Sequence, residues 1–258
     1  MLELEKSKSE NTTFACISDQ SYLKYLRVFL RSLIYSNNHH HVYICLINIQ
    51  NKKRESVKLQ RLYKHITITF LDIGELKKHE KKAFCANHRA ELICFLLDQN
   101  FDLIIYIDVD SLVRKQLIFT PSTMGNSDIK IFFREEEDIR FKVATGVIFI
   151  KNTPQVKLFL VAWRNALALN KKKWFSDQIS FSETYEEFKN QVAFGHLESN
   201  MIDWNFLDSS DIWAGKGDRK KSNIIYLLET IKITIDLKFA NKAISKLQSK
   251  WRMLHQLK

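Results

Sequence analysis

The N-terminal half of the chain alternates between two hydrophobic periods, and few folds accept that alternation. Thr12–Ile17, Val42–Ile49, Ile66–Ile73 and Leu103–Asp108 are short apolar runs, while Tyr22–Tyr35, Lys53–Lys64 and Ala83–Gln99 between them carry helical spacing. In the first of these helices Leu23, Leu26, Phe29, Leu30 and Leu33 form one stripe, the mark of a helix that buries one side. Val42–Ile49 is apolar almost without interruption, as a strand is when helices cover both faces of a parallel sheet. The βαβαβαβ order predicts an α/β chain with a mostly parallel sheet flanked by helices.

The pattern loosens after Asp110. Ile129–Phe133 and Val143–Lys151 read as strands, and Pro154–Leu169 as a helix capped by Thr153, with proline in the first turn where its missing N–H costs nothing. Trp174–Glu183 reads as a further helix and Val192–Leu197 as a short strand, ahead of an irregular, aromatic-rich segment from Ser199 to Ser222. Beyond it Ala240, Ala243, Ile244, Leu247, Trp251, Leu254 and Leu257 recur at helical spacing, with the basic residues mostly elsewhere. That predicts a C-terminal basic amphipathic helix, packed on the domain or lying on an anionic bilayer surface. The expected organisation is a domain over residues 1–225 and a helical extension over residues 226–258.

At 258 residues and 45% hydrophobic content, the chain suits one large core. The longest apolar runs, such as Ile104–Ile107 and Val147–Ile150, are too short to cross a membrane as helices. The opening Met1–Lys6 lacks the basic-then-apolar order of a secretory signal. Cys16, Cys45, Cys85 and Cys94 sit in apolar segments with no Cys-x-x-Cys spacing, so a reduced, cytoplasmic setting is expected. A net charge of +11, concentrated in Lys171–Lys173, Lys216–Lys221 and the C-terminal stretch, calls for an anionic partner. Nucleic acid is not the expected one, since no zinc-finger spacing, RNP-like strand or helix-turn-helix accompanies the charge.

Chemistry concentrates where Leu103-Ile104-Ile105-Tyr106-Ile107 runs into Asp108-Val109-Asp110. Strand alternation would put both carboxylates on one face, at the C-terminal sheet edge where open α/β sheets bind ligands. Two hard carboxylates beside a polyphosphate are what Mg²⁺ or Mn²⁺ prefers. Glycine at Gly146, early in an apolar strand, permits close approach to a ligand or marks a bulge. From its position alone Asp177 reads as a helix N-cap. His196 reads as a structural histidine, and His39-His40-His41 as a solvated turn.

Ser18-Asp19, Asn87-His88-Arg89 with Glu91, Tyr106-Ile107-Asp108-Val109-Asp110, Thr145-Gly146-Val147 and Ser176-Asp177-Gln178 follow one another in an order that resembles the nucleotide-diphospho-sugar glycosyltransferases of the GT-A fold, from about Thr12 to about Asn223. The resemblance implies a GT-A-like, Rossmann-like sheet and a divalent-metal-dependent transfer of a sugar, with UDP the expected nucleotide. The acceptor would be a hydroxyl on a glycan or glycolipid, in lipopolysaccharide- or capsule-type assembly, at the cytoplasmic membrane face. It implies that Asp108 and Asp110 hold Mn²⁺ or Mg²⁺, and that Cys16, Ile17, Ser18, Asp19, Arg89, Asp108 and Lys216 bind the donor. Thr145, Gly146 and Gln178 would face the donor sugar or acceptor, and Asp177 would take the acceptor proton or orient sugar hydroxyls. Relatives often place a histidine metal ligand in the loop over Ile212–Lys220, and this chain has none there. For Arg89 the alternative is a solvated helix arginine.

Two other functions compete. A non-catalytic basic protein would bind anionic lipid or nucleic acid with steep salt dependence, indifferent to Asp108 and Asp110. A nucleotidyltransferase also uses strand-end carboxylates and a metal, but Ser18-Asp19-Gln20-Ser21 is not the Gly-rich phosphate loop it needs.

Overall fold

Continuous apolar runs pair in parallel only when helices shield both faces of the sheet, and the chain is built that way. The computed structural model describes residues 11–169, 175–215, 217, 219–237 and 239. Along the chain lie β1 (Thr12–Asp19), α1 (Leu23–Tyr35), β2 (His41–Ile47), α2 (Lys52–Leu62), β3 (Ile66–Leu71), α3 (Lys78–Asp98), β4 (Leu103–Ile107) and β5 (Ser111–Val113). These are followed by β6 (Ile129–Phe133), β7 (Val143–Lys151), α4 (Pro154–Leu169), α5 (Ser176–Phe188), β8 (Phe194–His196), β9 (Ile202–Asp203), β10 (Ile212–Ala214) and α6 (Arg219–Ser222). Residues 224–237 are also helical.

The main sheet has seven strands in the order β3-β2-β1-β4-β7-β6-β8. From β3 to β4 every pairing is parallel, as is β6 with β8. β7 runs antiparallel to both its neighbours. This reversal matters to the site: β7 starts at the edge where β4 ends, with Val147 opposite Ile107 and the Asp108 N–H donating to the Gly146 carbonyl at 2.8 Å.

Side chains alternate between two buried layers, as period 2 requires. Phe14, Ile44, Ile105, Ile107 and Phe149 pack under α1 with Leu26, Phe29, Leu30 and Leu33. Ala15, Ile104, Tyr106 and Ile148 pack the opposite way, against Ile93 and Leu97 of α3, Phe159 and Trp163 of α4 and Phe181 of α5. Thr153 caps α4 as expected, its hydroxyl accepting from the Val156 N–H at 3.3 Å. α3 begins at Lys78, ahead of the expected Ala83; its first turn is polar, with no apolar period to read, and there the Lys77 N–H donates to Glu80 at 3.1 Å.

The segment from Ser199 to Ser222 is more ordered than its composition suggests. β10 pairs with β9 in parallel and with β5 in antiparallel fashion, Ala214 lying opposite Ser111. Pairing with β5 needs β10 to come from far along the chain, so hydrophobic period alone could not announce it. The helix over 224–237 packs on the same body through Tyr226 and Ile233, which are buried with Leu112, Phe206 and Trp213. The division drawn between residues 225 and 226 falls inside this helix. The amphipathic segment from Ala240 onward, the opening Met1–Lys6 and Lys171–Lys173 lie outside the described residues.

Candidate active site

The strand β4 ends at Ile107, one residue short of the expected Asp108. The two acids are therefore brought together by a turn, closed by the Ser111 N–H donating to the Asp108 carbonyl at 3.0 Å, and not by strand alternation. Both still line the same cavity, of about 340 Å³, at the C-terminal edge of the parallel strands. Its walls come from the end of β1, from α3, from the start of β7, from the start of α5 and from the stretch between β10 and α6.

Arg89 is the hub. Its side chain on α3 is buried, with Nη2 3.2 Å from Asp108 Oδ1 and Nη1 3.0 Å from Asp177 Oδ2. It is not the solvated helix arginine of the alternative reading. Burial works against the guanidinium charge, but Asp108, Tyr106 and Asp177 outweigh it and hold the group protonated above its ordinary range. Its Nε is buried with no hydrogen-bond partner among the described residues. Asp108 also accepts from the Tyr106 hydroxyl at 3.1 Å. Desolvation pushes its carboxyl up to about 6, with Arg89 opposing the shift and the Asp110 charge adding to it.

Asp177 does not cap its helix. The residue before α5, Phe175, takes the N-terminal position in a left-handed conformation (φ 68°), and the Asp177 carboxylate accepts from Arg89 and from Thr145 Oγ1 at 2.5 Å. The Trp163 indole fixes the Asp177 carbonyl at 3.1 Å. Gln178 lines the cavity too, its amide nitrogen donating to the carbonyls of Arg140 and Val143 at 2.9 and 2.7 Å. Thr145 lines the cavity as well, and its hydroxyl positions Asp177.

Gly146 is required by proximity: a Cβ built there would stand 2.8 Å from Asp108 Oδ2. Gly146→Ala is expected to push the Asp108 carboxylate aside and cut turnover at least tenfold while far-UV circular dichroism stays unchanged, because the strand itself tolerates alanine. A steady-state assay beside the spectrum checks both halves.

At β1, Ile17, Ser18 and Asp19 line the cavity. Asp19 Oδ1 closes the following turn, accepting from the N–H groups of Ser21 and Tyr22 at 2.8 and 3.0 Å and from the Ser21 hydroxyl at 2.7 Å. Cys16 is a correction. It packs in the α1 layer with no exposure, two residues short of the strand end at which Ser18, on the same face, reaches the cavity. Burial pushes its thiol far above the ordinary range, so it is an inert core residue. Lys216 lies outside the described residues.

The cation found in its place is Lys220 of α6. Its ammonium contacts the Asp110 carboxylate, stands 3.2 Å from the Tyr22 hydroxyl and sits over the Tyr22 and Tyr25 rings at 4.7 and 5.1 Å. Desolvation opposes its charge, but Asp110 outweighs that and raises its affinity for the proton. The Asp110 carbonyl is pinned as well, accepting from Tyr226 Oη at 2.8 Å and from the Gly215 N–H at 3.1 Å. Lys220 was hidden in a basic run, Arg219-Lys220-Lys221, that composition reads as solvated; its only sequence signal is the pair of glycines just before it. Tyr22 and Tyr226 were hidden among ordinary apolar helix positions.

Asp108 Oδ2 and Asp110 Oδ1 accept no hydrogen bond from the described residues, so two hard oxygens remain on the cavity wall. Among the described residues no group of three or more His, Cys, Asp or Glu side chains is arranged for a metal. Two carboxylates suffice for Mg²⁺ or Mn²⁺ when phosphates and water fill the other positions, so the donor set fits an ion shared with a substrate. His196 lies on the far strand β8, its Nδ1 accepting from the Phe133 N–H at 3.3 Å, and is structural. His41 belongs to β2 and hydrogen-bonds Thr13 and Thr67 at 2.8 and 2.9 Å, not to a solvated turn.

No family model and no curated protein matches the chain. Among solved structures it is similar to the glycosyltransferase GlyE of Streptococcus pneumoniae TIGR4, at 15% identity and a TM-score of 0.48, over 73% of this chain and 45% of GlyE. The apo form of GlyE gives 14%, 0.49, 74% and 46% on the same measures. The galactosyltransferase LgtC, in complex with donor and acceptor sugar analogs, gives 14% identity and a TM-score of 0.49 over 74% of each chain. The chain thus spans under half the length of GlyE.

Proposed function

We propose that the chain is a glycosyltransferase that moves a sugar from a nucleotide diphosphate, with UDP the first candidate, to a hydroxyl acceptor. The observation that supports this most is one cavity holding Asp108 and Asp110 with unspent oxygens, two buried cations against them, and a third carboxylate, Asp177, tied to Asp108 through Arg89. A cavity of about 340 Å³ falls within the usual size of small-molecule sites, roughly 300–1,000 Å³.

Asp108 and Asp110 would hold Mn²⁺ or Mg²⁺, which when bound supplies Lewis-acid stabilisation of the leaving diphosphate. Ile17, Ser18 and Asp19, which line the cavity, would face the base and ribose. Arg89, held rigidly by two carboxylates, offers fixed positive charge; Lys216 would add to it. Gly146 leaves room for the Asp108 carboxylate beside the β7 backbone. Asp177 has Oδ2 filled by Arg89 and Thr145, which leaves Oδ1 for a substrate hydroxyl. There it accepts the acceptor proton if configuration inverts, or orients the donor sugar if it is retained.

A glycan or glycolipid acceptor at the cytoplasmic membrane face suits the outer side of the helix over 224–237. Ile224, Leu228, Ile231, Ile235 and Phe239 are exposed at helical spacing on a chain of net charge +11. No described helix is long and apolar enough to cross a membrane, so contact would be peripheral. A nucleotidyltransferase is disfavoured because β1 runs into an aspartate-closed turn with no Gly-rich phosphate loop.

The test is a donor screen in Mn²⁺, following hydrolysis and transfer for each nucleotide sugar and the anomeric configuration of the product. Turnover of one donor, suppressed by EDTA, is the expected result. Failure of every nucleotide diphosphate to bind, with or without metal, would overturn the reading.

A further inference from the structure

Lys220 poses a problem for the site as read above. A divalent ion and an ammonium group compete for one carboxylate, and here the ammonium already has it. Lys220 is only 4% exposed in its side chain, so this is a seated contact and not a surface lysine passing by. Its seat is built: the Tyr22 hydroxyl lies at 3.2 Å, and the Tyr22 and Tyr25 rings receive the ammonium on their faces. The backbone of Asp110 is fixed beside this seat, because Tyr226 and the Gly215 N–H hold its carbonyl. An ion at Asp110 Oδ1 would therefore face the Lys220 charge across the same carboxylate.

The short α6 that carries Lys220 is preceded by Gly215 and Gly217, the latter at φ 65°. Gly217, Lys220 and Lys221 border the cavity that a diphosphate would enter. A diphosphate offers the ammonium a second anion.

We propose that Lys220 is a placeholder cation on Asp110, which disfavours free divalent metal and yields to metal only when a nucleotide diphosphate arrives. Metal and donor then bind as a pair, each strengthening the other by the same factor, as linkage demands. The inference rests on the metal-dependent reading above and adds to it a specific order: an enzyme without nucleotide stays largely metal-free. It also gives the site a way to manage without a histidine ligand, since an ion that binds only with its phosphates draws its remaining ligands from them.

The experiment measures Mn²⁺ affinity by electron paramagnetic resonance, with and without UDP, on the wild-type chain, Lys220→Met and Lys220→Gln. Glutamine keeps a hydrogen-bond donor toward Asp110 without the charge, and carries the test should methionine impair folding. In the wild type, UDP is expected to tighten Mn²⁺ binding about tenfold or more, within the usual range for coupled sites of roughly 5–150-fold. In the variants Mn²⁺ alone is expected to bind about tenfold tighter, and the effect of UDP to shrink correspondingly. If the variants keep the wild-type coupling and the wild-type affinity for Mn²⁺ alone, the placeholder role is overturned while the metal-dependent reading stands. If the wild-type chain binds no Mn²⁺ even with UDP present, the metal-dependent reading falls and takes the placeholder with it.

Discussion

Asp110→Ala is expected to lose turnover by about a thousandfold or more and, separately, to lose stability. The first loss follows from removing one of the two carboxylates available to a divalent ion, whose charge stabilisation is worth several kcal/mol in such reactions. The second follows from Lys220, which would remain buried against Tyr22 and Tyr25 with its counter-charge gone. Breaking a buried pair from one side costs on the order of 3–5 kcal/mol, toward the lower end here because Asp110 keeps some contact with water. The two losses separate in the double variant Asp110→Ala/Lys220→Met, where no ammonium is stranded. Its urea midpoint is expected to recover most of the way to wild type while donor turnover stays absent. A double variant that regains turnover would remove Asp110 from the chemistry.

The second large effect belongs to Arg89→Ala. One guanidinium keeps Asp108 and Asp177 from facing each other unscreened, and without it the Tyr106 and Thr145 hydroxyls are the side-chain donors left to them among the described residues. The expected cost, again on the order of 3–5 kcal/mol, is a large part of the roughly 5–15 kcal/mol that a domain has in total. Arg89→Lys is not a repair, since lysine lacks the planar fork whose two nitrogens reach Asp108 and Asp177 separately. The pH dependence gives an independent check. Asp108 already has its folded carboxyl raised to about 6 against an ordinary value of 3.8, so the folded state holds the proton more tightly and this group's contribution to stability improves as pH falls through that window. Removing Arg89 strengthens the preference for the neutral acid. The deficit of Arg89→Ala relative to wild type is therefore expected to narrow as pH is lowered from about 8 to about 5, read from urea midpoints. A deficit independent of pH would mean that the loss is one of packing and not of charge.

What the sequence makes legible here is whatever depends on neighbours along the chain. The alternating layers through Phe14 and Ala15 or Ile104 and Ile105, the stripe of α1 and the Thr153 cap all follow from local period and local hydrogen bonding. The polar first turn of α3 has no such period and was missed. The site divides the same way. Asp108 and Asp110 announce themselves as acids at the end of an apolar run, yet the turn closed by Ser111 that presents them does not. Arg89 and Asp177 stand 88 positions apart, and nothing in either neighbourhood says that one will grip the other. Lys220 is the extreme case. A lysine in a basic run is legible as solvent-facing, and only the fold, by placing Tyr22 and Asp110 beside it, gives it a buried seat. Cys16 errs in the opposite direction: Ile17 and Ser18 reach the cavity at the end of β1, while Cys16 lies one step deeper along the strand, inside the α1 layer.

The hydrogen bond from Tyr226 to the Asp110 carbonyl has a practical bearing on how the chain can be cut. A shortened protein that stopped at residue 225 would look like a clean removal of a terminal helix. It would instead take away the hydroxyl that fixes Asp110 at the cavity wall, and with Ile233 the apolar plug over Leu112 and Trp213. Any fragment intended for expression or crystallisation has to run through residue 237 at least. Fusions and affinity tags at this end belong beyond that point.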